Sequence, residues 1–401
     1  MFNNLKFKVI FFGFIFTFFS SFGQSYFLGL FNSSIRDTLS ITHGQFGSIY
    51  ASATLFSSVL LIWVGKKIDD VNIFKFALFV TILLSFACFF FSKVSSVLLL
   101  FIGIFLMRFS GQGMMSHTAS TTISRYFTRT RGRALSISWF GLSFAEFILP
   151  VLMVYLLTLI DWQNLWIIFS ITVLLILPIA SFLLIKNLKL DSREVNDENI
   201  KEVEIKQWKR KEVIKDYRFY IITLNMLSMP WIFTGFAVFQ SFVQTSKGWG
   251  PYVIAQSFMS YSIFSVLTLF LSGFLIDKFT SRKLLIFMNI PLLLSVLILI
   301  FFNNPITAFV FLGLVGISNG FANILGSSTW AELYGVKYIG SIKALTTALM
   351  VFATAFGTAL FGFLIDIGFS ISDIAVVSGV YISISLALLF FIRKKLNPVY
   401  V

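Results

Sequence analysis

Twelve times along 401 residues the sequence runs through an apolar stretch long enough to cross a lipid bilayer. The runs lie near 8–31, 43–64, 74–92, 95–124, 134–158, 164–186, 219–245, 251–272, 282–302, 306–331, 342–366 and 371–392. A spanning helix needs ~20 mostly apolar residues. At 57% hydrophobic and 12% charged, the chain is too apolar for a soluble globule. Lipid offers no partner to a free N–H or C=O, so only helices or closed barrels can cross it. The runs are continuous rather than alternating, which excludes a barrel. The expected fold class is therefore all-α, a membrane protein with twelve transmembrane helices.

The runs also repeat. Gly65-Lys66-Lys67-Ile68-Asp69-Asp70 returns as Gly273-Phe274-Leu275-Ile276-Asp277-Lys278, 208 residues later. The same offset carries Tyr126…Gly132 onto Tyr334…Gly340. Both copies of the first motif are expected as short hydrophilic loops between spans. Duplication of a helical membrane unit explains such a pattern and points to transport. The expectation is two pseudo-symmetric six-helix bundles, residues 1–186 and 218–401. The hydrophilic stretch 187–217 is expected as a cytoplasmic, solvated linker that lets the halves move.

Charge sets the orientation. Of 31 Lys and Arg, Arg36, Lys93 and Lys247 fall in loops on one side and Arg108 lies inside a span; the other 27 share the opposite side. This asymmetry predicts a multi-pass protein of the cell membrane, the inner membrane of a bacterium, with both termini in the cytoplasm. The net charge of +14 then reads as topology plus attraction to anionic headgroups of the lipid bilayer. Spread over many loops, it speaks against nucleic acid. Lys6 and Lys8 before the first run are expected to lead an uncleaved helix, and Cys88 has no second cysteine to pair with. There is no phosphate-cradling Gly-rich loop with Lys-Ser/Thr, and His43 and His117 are the only histidines. ATP hydrolysis, a metal site, a cofactor and an enzyme activity are all unsupported.

The paired Gly-x-x-x-Asp loops, the six-plus-six helices and the charged middle together resemble the major facilitator superfamily. That resemblance implies a cavity lined by helices 1, 4, 7 and 10, an interface of helices 2, 5, 8 and 11, and alternating access. It also implies conformational-switch roles for Gly65, Asp69, Gly273, Asp277 and Arg282. Asp277, with Lys278 beside it, matches the family loop better than Asp69, which Asp70 follows. Gly141 to Pro150 lacks the Gly-Pro-x-x-Gly-Gly element of the drug-exporting branch. Gly111 and Gly113 follow Arg108 one step too early for that branch's fourth helix. The stretches Phe22–Phe27 and Ile41–Gly47 are similar to the bacterial monocarboxylate-type branch.

A charge at the bilayer centre is costly and marks function. Arg108 and Glu146 qualify, lying ~24 Å and ~18 Å from the cytoplasmic ends of straight helices. They are close enough in height to pair, as a structural lock or as partners that exchange during a cycle. Gln112, four residues on, shares the Arg108 face. His117 should face away unless Gly111 and Gly113 distort the helix. Gln24, Trp139, Asn225, Trp231 beside Pro230, Asn319 and Asn323 complete the expected substrate-binding set, with Ser143 and Ser327 on the same helix faces as Trp139 and Asn323. The duplicate of Arg108 is Gly316, so one cation, not two, awaits the substrate. The expectation is a monomeric secondary active transporter of a small organic anion, a monocarboxylate, with Glu146 coupling a proton. The rivals are a drug/proton antiporter exporting lipophilic compounds and a transporter-like membrane receptor.

Overall fold

The computed structural model describes residues 4–127, 130–186 and 206–399, apart from the side chains of Arg131, Asp277 and Ser327. Twelve of its helices are long and apolar enough to cross a membrane. They are α1 (Leu5–Gly29), α2 (His43–Asp69), α3 (Ile73–Phe91), α4 (Val97–Tyr126), α5 (Gly132–Leu157) and α6 (Trp162–Ile185), then α7 (Tyr217–Val238), α8 (Pro251–Ile276), α9 (Ser281–Phe301), α10 (Ile306–Tyr334), α11 (Ile339–Asp366) and α12 (Ile371–Lys395). The chain divides into two compact units, Met1–Glu198 and Asn199–Val401, with six of these helices in each. No strand occurs among the described residues.

In the N-terminal unit α1 packs against α4, α5 and α6. Phe22, Phe27, Phe31, Phe91, Trp166 and Phe169 form one ring cluster there, with Phe31 and Phe91 5.1 Å and 4.9 Å from Trp166. Elsewhere rings face outward, as Phe56 and Phe274 do, but α1 turns a row of them inward. Between α3 and α6, Ser85 and Ser170 exchange side-chain-to-carbonyl hydrogen bonds of 3.0 and 2.8 Å. Such bonds hold helices together where lipid gives no hydrophobic drive. The stretch Ile41–Gly47 starts α2 with a capping box, Thr42 and Gln45 bonding each other's backbone N–H.

Two expectations about local structure are corrected. Gly273–Lys278 is not a loop: the helix that contains α8 runs on to Phe279, because Phe-Leu-Ile-Asp-Lys-Phe holds no helix breaker. The turn is carried by Thr280 alone, at φ 70°. The linker lies outside the described residues from 187 to 205; its end, 206–217, packs rather than floats. Val213 is fully buried and Trp208 joins the core of the C-terminal unit. Arg218 clamps Asp216 at 2.7 Å and donates to the Asn397 carbonyl, also at 2.7 Å. Lys206 N–H donates to the Val399 carbonyl at 2.7 Å, so the linker end and the C-terminal tail are bound side by side.

Candidate functional site: a helix break facing a π turn

The sequence predicts α1 and α4 as straight helices, and both are irregular at the same place. α1 is helical to Ser20, tightens to a 3-10 turn at Ser21–Gly23, extends at Gln24 (ψ 151°) and resumes at Ser25. α4 widens into a π-helix over Arg108–Met115. A π turn leaves carbonyls without their usual partners, and the Ser110 hydroxyl takes up that of Leu106 at 2.7 Å. The two irregular segments touch backbone to backbone: a Cβ on Gly111 would stand 2.6 Å from the Gly23 nitrogen and 2.9 Å from its Cα. Only glycine permits that approach.

Arg108 sits on this contact, 3% exposed. Its Nη1 donates to the Gly23 carbonyl at 3.1 Å and to the Ser25 hydroxyl at 3.2 Å. Its guanidinium lies 5.3 Å from the Tyr50 ring of α2, and the Tyr50 hydroxyl donates to Ser25 at 2.9 Å. A guanidinium carries five donors; the Nε–H is buried without a partner. Ser25 and Tyr50 were not expected here. The signal for them was the Gly23-Gln24-Ser25 stretch, whose small and polar residues break the apolar run of α1.

Glu146 does not meet Arg108, so the expected pair is absent. The straight-helix count put the two at similar heights, but the π turn aims Arg108 at α1 and α2, whereas Glu146 stands on α5. Glu146 is 8% exposed, and no basic group pairs with it among the described residues. Its carboxylate is within electrostatic reach of Tyr26, next to Ser25. The segment Gly23–Tyr26 is therefore bonded by Arg108 and within electrostatic reach of Glu146. Gln24 in the break and Gln112 in the π turn are half-buried, as are Trp139 and Ser143 on α5.

The C-terminal unit offers a different site. A cavity of about 210 Å³ opens between α7, α9, α10 and α11, lined by Met226, Met229, Met288, Trp330, Asn319 and Asn323 among others. No charged residue lines it. Asn319 also donates to Ser265 of α8 at 2.9 Å. Asn225 and Trp231 do not reach it. The Asn225 carbonyl accepts from Asn289 of α9 at 2.6 Å, and Trp231 packs edge-on to Tyr381 of α12 at 5.1 Å. Gly316, the duplicate of Arg108, is pressed against the Tyr261 backbone, leaving no room for a side chain.

The sequence from 13 to 357 matches the family model of the Major Facilitator Superfamily. The chain belongs to that superfamily. Among solved structures, it resembles a bacterial homolog of the human lysosomal transporter Spinster, captured inward-facing and unoccupied, with a TM-score of 0.73 at 14% identity over 98% of each chain. The nucleoside transporter NupG is similar at a TM-score of 0.71 and 15% identity, over 98% of this chain and 99% of that one. No protein of curated function matches the sequence. The molecule is thus a multi-pass membrane transporter of the facilitator superfamily rather than an enzyme.

The superfamily's paired motif loops are held differently in the two units. Gly65 ends a helix, and His117 of α4, expected to face away, reaches its carbonyl with Nε2 at 3.0 Å. The π turn re-phases α4 beyond Met115, which explains the discrepancy. Arg125 of α4 binds the Ile68 carbonyl at 3.1 Å and forms an ion pair with Asp69. In the C-terminal unit Gly273 lies within a helix, and the Asp277 side chain is outside the described residues. There Arg282 pairs with Glu332 of α10 at 2.9 Å, and Glu332 also accepts from the Ser281 N–H at 2.9 Å. The polarity is reversed: the loop acid meets an α4 base in one unit, the α9 base an α10 acid in the other. Glu332 was missed because nothing in the motif repeat marks it.

Proposed function

We propose that this transporter moves a small organic anion by secondary active, alternating-access transport, with Arg108 as the anion's counter-charge. The observation that carries this reading is a guanidinium buried at a helix break with no carboxylate partner among the described residues and with its Nε–H unbonded. Broken helices in transporters expose backbone polar groups where substrates and ions bind. A buried cation needs compensation; Gly23, Ser25 and Tyr50 supply dipoles and a ring face but no charge. One cation suits a monocarboxylate, which a planar fork can grip in bidentate fashion. Gln24, Gln112 and Trp139 complete the substrate-binding set of this reading. Glu146, buried and unpaired, is the residue we assign to proton coupling through Tyr26. The lysine and arginine asymmetry supports placement in a cell membrane with both termini cytoplasmic.

The test is uptake of labelled monocarboxylates into vesicles containing the purified chain. Arg108→Ala should abolish uptake while the protein stays folded, and Arg108→Lys should keep little of it. Near wild-type transport by Arg108→Ala would reject the anion anchor.

A second reading has its own support. The C-terminal cavity combines two amides with Trp330 and carries no charge, which suits a neutral polar ring compound, and NupG is a nucleoside transporter. Saturable uptake of labelled nucleoside that survives Arg108→Ala would favour it.

A further inference from the structure

On the flank of the N-terminal unit a groove of about 410 Å³ runs between α1 and α6. Phe11 and Ile15 line it from one side and Ile176, Ile179, Leu183 and Leu184 from the other; every lining side chain is apolar. At hydrocarbon depth no water fills such a groove, so its occupant is a chain of methylenes.

One end of the groove is marked by charge. Lys8 precedes Phe11 by three residues and Lys186 follows Leu183 by three, so each continues the groove face of its helix by about one turn. The start of α1 and the end of α6 lie at the same membrane face, because six crossings separate them. Lys8 is half-buried and Lys186 exposed, with its ammonium 4.1 Å from the Phe182 ring centre. Neither pairs with a carboxylate among the described residues. The helical segments Asn4–Ser20 and Trp162–Ile185 contain no acidic residue at all.

We propose that this groove is a binding site for an anionic phospholipid, with one acyl chain lying between α1 and α6 and the phosphate held by Lys8 and Lys186. A zwitterionic lipid would bring its own ammonium to two lysines without a counter-charge among the described residues. An anionic headgroup brings only the negative charge that complements them. The basic bias of this face assigns the lipid to the cytoplasmic leaflet. The inference is independent of the transported substrate, since the groove lies outside the Arg108 cluster.

Native mass spectrometry on the purified full chain, titrated with phosphatidylglycerol or phosphatidylcholine of identical acyl chains, tests it. The wild-type protein should retain one phosphatidylglycerol in preference to phosphatidylcholine. Lys8→Gln/Lys186→Gln should cut that preference roughly 30-fold, about fivefold per lysine near a membrane surface. Ile179→Trp, which fills the groove from a lipid-exposed position, should remove the retained lipid of either type. Lys215→Gln/Lys343→Gln, two exposed lysines of the other unit, should leave the preference intact. Equal retention of both lipids by the wild-type protein would overturn the proposal. So would a preference that survives the Lys8/Lys186 change, one that falls as far in the Lys215/Lys343 control, or tight binding that persists in Ile179→Trp.

Discussion

Two glycine-to-alanine changes in membrane helices should shift stability in opposite directions. In Gly111→Ala the new Cβ would lie 2.6 Å from the Gly23 nitrogen, whereas ordinary contact begins at 3.4 Å. The obstacle is backbone, so α1 and α4 must part by about 0.8 Å. Overpacking of this kind costs ~1–3 kcal/mol. The same shift stretches the 3.1 Å bond from Arg108 to the Gly23 carbonyl to about 3.9 Å, beyond hydrogen-bond range. A charged hydrogen bond adds ~1.5–3 kcal/mol to the loss. Alanine's better helix propensity returns ~1 kcal/mol. The net is a destabilisation of roughly 2–5 kcal/mol, against a typical total of ~5–15 kcal/mol. For a unit of this size that lowers Tm by roughly 5–15 °C. In Gly273→Ala the Cβ meets nothing within 4 Å, so only propensity acts and Tm should rise by roughly 2–4 °C. Thermal unfolding of the three purified proteins in one detergent decides the matter. Equal shifts of the same sign would refute the claim that the α1–α4 contact requires glycine.

Glu146→Gln should exchange substrate across vesicle membranes yet fail to accumulate it, since the neutral amide cannot release a proton. Because Arg108 and Glu146 do not pair, Arg108→Met/Glu146→Leu should not recover a fold that either single change damages; recovery would show that they meet in another state. Arg125→Gln frees Asp69 and Ile68, and should slow exchange by about fivefold or less, the worth of an exposed ion pair, with substrate affinity unchanged. A large affinity loss would mean that the loop reaches the substrate. Lys247, in the loop between α7 and α8, donates to Asn303 at 2.9 Å, and burial lowers its pKa below the ordinary 10.5. The folded state therefore releases this proton before the unfolded state does, so stability rises with pH between the lowered value and 10.5. Lys247→Met should flatten that rise in a Tm-against-pH series, and identical slopes in the two proteins would contradict it.

The aim of Arg108 shows where sequence reasoning stops. Its place in a span, its cost there and its lack of a duplicate at Gly316 follow from composition and spacing. Its partners depend on a π turn and a helix break that no residue preference dictates. Serine, glycine and glutamine at 110–113 tolerate either helix type, and the choice goes to whichever lets the Gly23 and Gly111 backbones meet. Asn289 shows the same limit from the other side, its side-chain amide donating to the main-chain carbonyl of Asn225. Polar residues in membrane helices bind either substrate or a neighbouring helix, and only the packing of α7 on α9 assigns this one to the neighbour.

The number of spans and their helical class were decided by the sequence alone, because the bilayer enforces span length and backbone satisfaction wherever an apolar run occurs. The repeat at 208 residues carried the family resemblance, because the motif keeps its spacing although its second copy lies inside a helix. The tertiary structure decided everything that depends on which side chains share space. It separated Arg108 from Glu146, paired Asp69 with Arg125 and Arg282 with Glu332, and laid the tail along the linker end. Those outcomes rest on close backbone approach and on the rotation of one helix against another. A local pattern of residues does not encode either, because both are set by the summed packing of six helices.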